Sequence, residues 1–188
     1  MIMINRLFGL TILLFLLSGC GTAKFQDVSL NAEGRPVPVS LTYADKEKIT
    51  ELYNALIELS ADVDKVEAKE IAFDSVIYPM YLAKKYGLVY PPQYHNVLVN
   101  TGKRPRGLCY EWADDMTALM KRKNLRTFDI HRGTAFRMTK DEHNTLILSA
   151  KDEPLEKGIV IDPWRHSGEL YWAKVPDDKD HPWTKFIK

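Results

Sequence analysis

Two cysteines, at positions 20 and 109, are all that the chain contains. There is accordingly no paired-cysteine spacing of the kind that holds zinc, and no HExxH helix either. Excess charge of one sign is also missing. The formal net charge is +1, which gives no argument for nucleic acid or an anionic surface as partner. Internal repeats and low-complexity tracts are absent, and beyond the first twenty residues there is no long apolar run. Residues 7–17 make the single such run, and it falls short of the ~20 apolar residues that a permanent membrane helix needs.

That run follows Arg6 and ends in Leu17-Ser18-Gly19-Cys20. A positive flank, a short apolar core and a small-residue end are the parts of a secretory signal. The ending resembles the lipobox of bacterial lipoproteins. The resemblance implies cleavage before Cys20, acylation of Cys20, and a protein anchored by lipid on the periplasmic side of the cell envelope. Gly21 stands where an Asp would favour retention at the inner membrane, which favours the outer membrane. The expected organisation is a signal peptide over residues 1–19, a tether over 20–40 with a Gly-Arg-Pro turn at 34–36, and one domain over 41–188. If Cys20 carries lipid, Cys109 has no partner within the chain. An unpaired thiol is unusual in an exported domain, because such domains tend to pair their cysteines or lack them.

The first half of the domain reads as helical. Ile49, Leu52, Leu56, Leu59, Val63 and Val66 recur at steps of three and four, which places them on one helical face. Asp45 is a candidate cap at the start, and the Ser60-Ala61-Asp62 stretch should divide the segment into two helices. The second helix continues through Phe73, Val76, Ile77, Met80 and Tyr81 to Tyr86, with a kink expected at Pro79 and a stop at Gly87. Pro91-Pro92 then opens a short helix to about Val99. The second half begins with a helix over 109–123, with Trp112, Met116, Leu119 and Met120 inward and Asn124 as a left-handed terminator. Four strand-like runs follow, at 127–131, 145–148, 159–161 and 170–175. Helices followed by consecutive strands imply an α+β domain, a helical N-terminal half packed on an antiparallel sheet.

Polar residues fall at the ends of these elements. Cys109 opens a helix, where the dipole and free amides stabilise a thiolate. His143 precedes one strand and Asp162 ends the next. A nucleophilic thiol needs a base for its proton, and that base needs a carboxylate or amide to hold its tautomer. Neighbouring antiparallel strands are able to bring His143 and Asp162 together, with the helix laying Cys109 across them.

The segments "GLCYEWADDMTALMKRKNLRTFDI", "HNTLIL" and "IVIDPW" together resemble the core of the transglutaminase-like superfamily within the papain-like cysteine enzymes. The likeness covers residues 107–164. It implies a papain-like core in which Cys109 is the nucleophile, His143 the base and Asp162 its orienting partner, with no cofactor. The chain departs from the family pattern after the histidine, where Asn144 and Thr145 replace the usual aromatic residue. No Gln lies a short distance before Cys109 to serve as oxyanion donor. Gln93, Tyr94 and Asn100 remain open for that role beside the Cys109 amide. The Arg106-Gly107-Leu108-Cys109 string is also similar to arylamine N-acetyltransferases, which favour a second glycine there.

Other residues have plainer readings. Asp141, His143, Asp162 and His166 are the only grouping that invites a metal. His131 is expected on the solvated side of its strand, and His95 and His181 have no evident partner. Lys103, Arg104 and Arg106 form a basic run placed to meet a substrate carboxylate, as a peptide or cell-wall stem would offer. Trp112 and Trp164 read as packing residues. The expected function is a lipid-anchored envelope cysteine enzyme that attacks an amide or peptide acyl group, by hydrolysis or acyl transfer. The alternative is a non-catalytic envelope lipoprotein using the same fold as a binding or assembly module.

Overall fold

The structure is a computed structural model that describes residues 27–187. The expected signal segment and the acylation site Cys20 lie outside the described residues. Within them a hairpin, β1 (Val28–Leu30) and β2 (Pro36–Pro38), precedes four helices: α1 (Tyr43–Ile57), α2 (Lys65–Tyr86), α3 (Pro92–Asn100) and α4 (Cys109–Arg122). Strands β3 (Phe128–Ala135), β4 (His143–Ala150), β5 (Ile159–His166), β6 (Glu169–Lys174) and β7 (Thr184–Lys185) follow. They form a five-stranded sheet in the order β6-β5-β4-β3-β7, with every pairing antiparallel. The chain is an α+β protein.

The helix boundaries follow local chemistry. Thr42, three residues before the expected Asp45, is the N-cap of α1. Its hydroxyl accepts from Asp45 N at 3.1 Å while the Asp45 carboxylate accepts from Thr42 N at 2.8 Å. This reciprocal pair satisfies two amides that the first turn leaves free. Asp64 caps α2, accepting from Val66 N at 2.7 Å. The break contains Ser60-Ala61-Asp62 as expected, with the cap two residues further on, and the new helix starts a new phase. Val66, expected inward, is consequently exposed. Pro79 lies inside α2 without ending it, and Gly87 closes it at φ 60°. Asn124 adopts φ 50° behind α4, as a left-handed terminator should.

Within the tether expected over 20–40, the residues from Val28 to Pro38 are instead folded against the domain. Val28 is buried, and the hairpin is strapped to α2 by Arg35, which reaches Glu70 at 3.0 Å and Asp74 at 3.8 Å. The sequence misleads here because the Gly-Arg-Pro turn at 34–36 and the two prolines of 36–38 do not read as part of a strand pair. Proline lacks a donor, but an edge strand of a two-stranded ribbon does not need every donor.

α2 is the hub. Its Ile71, Ala72, Ile77 and Leu82 are fully buried among Leu52 and Leu56 of α1, Met116 and Met120 of α4, and Leu146, Leu148 and Ile161 of the sheet. Each buried Ile or Leu side chain contributes roughly 1.5–3 kcal/mol by leaving water. The opposite face of the sheet is covered too. Ala135, Ile147 and Val160 pack there with Leu155 and Trp183. Every residue of β4 is therefore buried, which is why its Leu-Ile-Leu run shows no alternation. The C-terminal segment provides that second cover, and β7 within it pairs with Gly133 and Thr134 of β3.

Candidate active site

The chain enters α4 through a tightly specified turn. Gly107 has φ 132°, and a Cβ there would lie 2.3 Å from His95 Nε2. His95 is fully buried beneath it. Its Nδ1 accepts from Val89 N at 3.2 Å, so the proton sits on Nε2, 2.9 Å from Arg106 O. The Glu111 carboxylate accepts from Gly107 N at 2.7 Å and Leu108 N at 2.9 Å, and Trp112 Nε1 donates to Gly107 O at 3.0 Å. Trp112 packs edge-on against Tyr86, the packing role expected of it. The amides of Cys109 and Tyr110 are left without an acceptor among the described residues. Free amides in a first helical turn carry the positive end of the helix dipole.

Two residues of the basic run before Cys109 are tied to protein acceptors around this turn. Arg104 Nε donates to Gly87 O at 2.7 Å. Arg106 forks onto Asp115 at 3.1 and 3.0 Å, and Tyr86 donates to the same carboxylate at 2.5 Å. Only Lys103 remains exposed and uncommitted among the described residues.

His143 opens β4, and Asp162 lies on β5. Leu146 is opposite Ile161, so the next residue along β5, Asp162, falls diagonally across from His143 on the same face. Both are buried, at 4% and 1% exposure. His143 Nε2 donates to Asp162 Oδ2 at 2.6 Å. Asp162 Oδ1 accepts from the amides of Trp164 at 3.1 Å and Arg165 at 3.3 Å, and Oδ2 also accepts from Arg165 Nε at 3.1 Å. Arg165 in turn forks onto Asp178 at 3.1 and 2.8 Å, and Trp183 Nε1 donates to Asp178 at 2.9 Å.

This network sets the ionisation of the pair. Burial alone would push the His143 pKa down and is the largest influence. The Asp162 charge and hydrogen bond, with the Cys109 side chain adding in the same direction, outweigh it and raise His143 to about 9. Burial would likewise raise Asp162, but the His143 charge and hydrogen bond, then Arg165, hold it below the ordinary carboxylate value. His143 Nδ1 is buried and makes no hydrogen bond, so the second nitrogen of the ring is unpaired. Cys109 Sγ itself lies 3.9 Å from Glu142 O, at the residue before the histidine. Three rings enclose the imidazole, with centroids at 4.8 Å (Trp164), 5.2 Å (His181) and 5.5 Å (Trp183).

The structure thus brings His143 and Asp162 into direct contact and sets Cys109 next to them, at the meeting of a helix start and two strands. A thiol, an imidazole with one free nitrogen and a buried carboxylate on the other nitrogen are the parts of nucleophilic acyl chemistry. Other expectations come out differently. His131 bonds Ser149 Oγ at 2.8 Å instead of facing solvent. His166 stands against Tyr171, and Asp141 lies in an exposed loop. No group of three His, Cys, Asp or Glu side chains among the described residues is arranged to hold a metal. Trp164 covers the His143 ring rather than only filling core.

Arg165 and Asp178 were not singled out by sequence reasoning, and His181 and Trp183 were given no place in the site. Arg165 had a signal: an Asp followed by Pro forms a turn in which its carboxylate collects the amides two and three residues on. The other three come from the C-terminal segment and meet the site only through tertiary packing. Burial, then the positive Arg165 and His143 nearby, lower the His181 pKa.

No family model matches the chain, and neither a curated protein nor a solved structure matches it. No helix among the described residues is long and apolar enough to cross a membrane.

Proposed function

We propose that the chain is a cysteine enzyme of transglutaminase-like type with a papain-like core, acting on an amide or peptide acyl group. The observation that carries this reading is the buried His143–Asp162 pair, 2.6 Å apart, with the second His143 nitrogen unpaired and Cys109 Sγ against the residue before the histidine. Cys109 attacks the acyl carbon, and His143 holds the thiol proton and delivers it to the leaving amine. Asp162 fixes the imidazole with its proton on Nε2 and favours its charged form. The thioacyl intermediate then passes to water or to an acceptor amine. The lipobox-like Leu17-Ser18-Gly19-Cys20 supports placement of this activity at the cell envelope, anchored through Cys20.

The test is the rate of iodoacetamide labelling of Cys109 against pH, in the wild type and in His143→Ala. A thiolate–imidazolium pair labels fast at about pH 6, below the ordinary thiol pKa of ~8.5. His143→Ala should lose that fast reaction and approach the wild type only above ~8.5. Identical profiles for the two folded proteins would leave Cys109 an ordinary thiol, and the non-catalytic binding module would take the place of the enzyme. For localisation, Cys20→Ser should release the protein from the membrane or leave an uncleaved precursor.

A further inference from the structure

Attack on a carbonyl pushes a negative charge onto its oxygen, and one donor, the Cys109 amide, is already free at the helix start. A second is required for a competent oxyanion site. Gln93, Tyr94 and Asn100, left open by the sequence, are all exposed, and none has a contact that would direct it toward the thiol.

Asn96 does. It lies on α3, which is fastened to both sides of the site. The preceding residue, His95, contacts Arg106 O at 2.9 Å and lies directly under Gly107, two residues from the nucleophile. Asn96 Oδ1 accepts from Trp164 Nε1 at 3.1 Å, and the Trp164 ring covers His143 at 4.8 Å. The carboxamide is thereby bracketed between the turn that delivers Cys109 and the ring that covers the imidazole. Its orientation is not arbitrary. An indole N–H only donates, so the amide must present Oδ1 to Trp164 and turn Nδ2 the other way. Nδ2 donates to nothing else among the described residues, and Asn96 is only half-buried. A half-buried amide locked by its oxygen, with both N–H donors idle, is a preorganised donor.

We propose that Asn96 Nδ2 is the second oxyanion donor, so that the substrate oxygen sits between it and the Cys109 amide. This rests on the cysteine-enzyme reading above and assigns a catalytic residue within it. In the step concerned, Cys109 Sγ forms a bond to the carbonyl carbon and the C=O π pair moves onto oxygen. Collapse of that intermediate returns the pair and breaks the bond to the leaving group, which departs with its electrons. The thiol proton waits on His143.

Two reagents separate the donor from the nucleophile. Iodoacetamide reacts by displacement at a saturated carbon and forms no oxyanion. p-Nitrophenyl acetate acylates Cys109 through one, releasing p-nitrophenolate. With Cys109→Ala as blank, Asn96→Ala should slow acylation by about 100-fold, the scale of losing one oxyanion donor, while alkylation stays within about twofold. Asn96→Asp keeps an oxygen for Trp164 and removes the donor, so it should lose at least as much, and its thermal midpoint checks that the fold is intact. Unchanged acylation in both variants overturns the assignment. So does an equal fall in acylation and alkylation, which would make Asn96 a positioning residue for Trp164 and His143. A wild type acylated no faster than Cys109→Ala overturns the enzyme reading as well, and shows itself before any Asn96 variant is made.

Discussion

Asp74 and Asp162 are the same residue type, buried to the same degree at 0% and 1% exposure, and each faces a cation. Their ionisation moves in opposite directions. Asp162 is held below the ordinary carboxylate value, whereas burial raises Asp74, and Lys123 and Arg35 do not offset it. The difference is in directional contacts. Asp162 accepts two backbone amides, the Arg165 Nε and the His143 ring. Asp74 has an ion pair with the largely buried Lys123 and a longer one with Arg35, but it accepts no backbone amide, and the like charge of Glu70 stands nearby. A cation alone does not offset the desolvation of a buried carboxylate; a set of aimed donors does. The first aspartate ties hairpin and helices together. The second is built to stay charged and so to keep an imidazole charged beside it.

The largest expected consequence is at Asp162. Asp162→Asn removes one partner of a buried pair and should cost roughly 3–5 kcal/mol of stability, read from the denaturant midpoint. Labelling of Cys109 near pH 6 should slow with it. A cost no greater than that of Asp74→Asn would erase the contrast.

Next comes pH. The raised His143 contributes stability that is complete below its unfolded pKa of ~6.5 and is lost as pH rises through about 9. The depressed Asp162 contributes stability present above its unfolded value of ~3.9 and lost as pH falls below it. The pair should therefore be strongest between about pH 4 and 6.5, and stability should decline by up to ~3 kcal/mol between pH 6.5 and 9. Denaturation across that range should show the decline in the wild type and a flat profile in His143→Gln.

Arg165→Met tests whether donors, and not burial, separate the two sites. It strips one contact from Asp162 and two from Asp178, and should cost about 2–3 kcal/mol. Asp162 should then shift toward the behaviour of Asp74, with the acid-unfolding midpoint moving to higher pH. An unmoved midpoint would mean that the backbone amides and His143 suffice.

The smallest effect is expected at Asp74. Because its raised pKa marks a site that disfavours the charge, Asp74→Asn should change stability at pH 7 by no more than about 1 kcal/mol, with Lys123 still facing Glu70 at 3.4 Å. Variant and wild type should converge in acid, where Asp74 becomes neutral.

The three candidate site residues were legible because each combines a reactive side chain with a signal that local chemistry announces, although Asp162, expected at the end of its strand, lies inside β5. Cys109 stands at a helix start, His143 at a strand start, and Asp162 before Pro163. Strands β3 to β6 were legible as apolar runs bounded by turns, and α2 by its spacing and by Gly87. The hairpin was hidden by its prolines, and β7 by its brevity. The roles of Arg104 and Arg106 were misread because exposed and tethered arginines look alike until their acceptors have positions.

The order and local setting of Cys109, His143 and Asp162 were determined by sequence alone, since capping, periodicity and turn formation act over a few residues. Tertiary structure decided what makes the group a site. Asp178 had to be brought to Arg165 and Trp183 to His143 by the C-terminal cover, and Asn96 had to be turned by Trp164. His95 had to come to rest beneath Gly107. Each of these contacts joins residues more than ten positions apart, and their geometry is set by how α2 and the sheet pack, which no local pattern encodes.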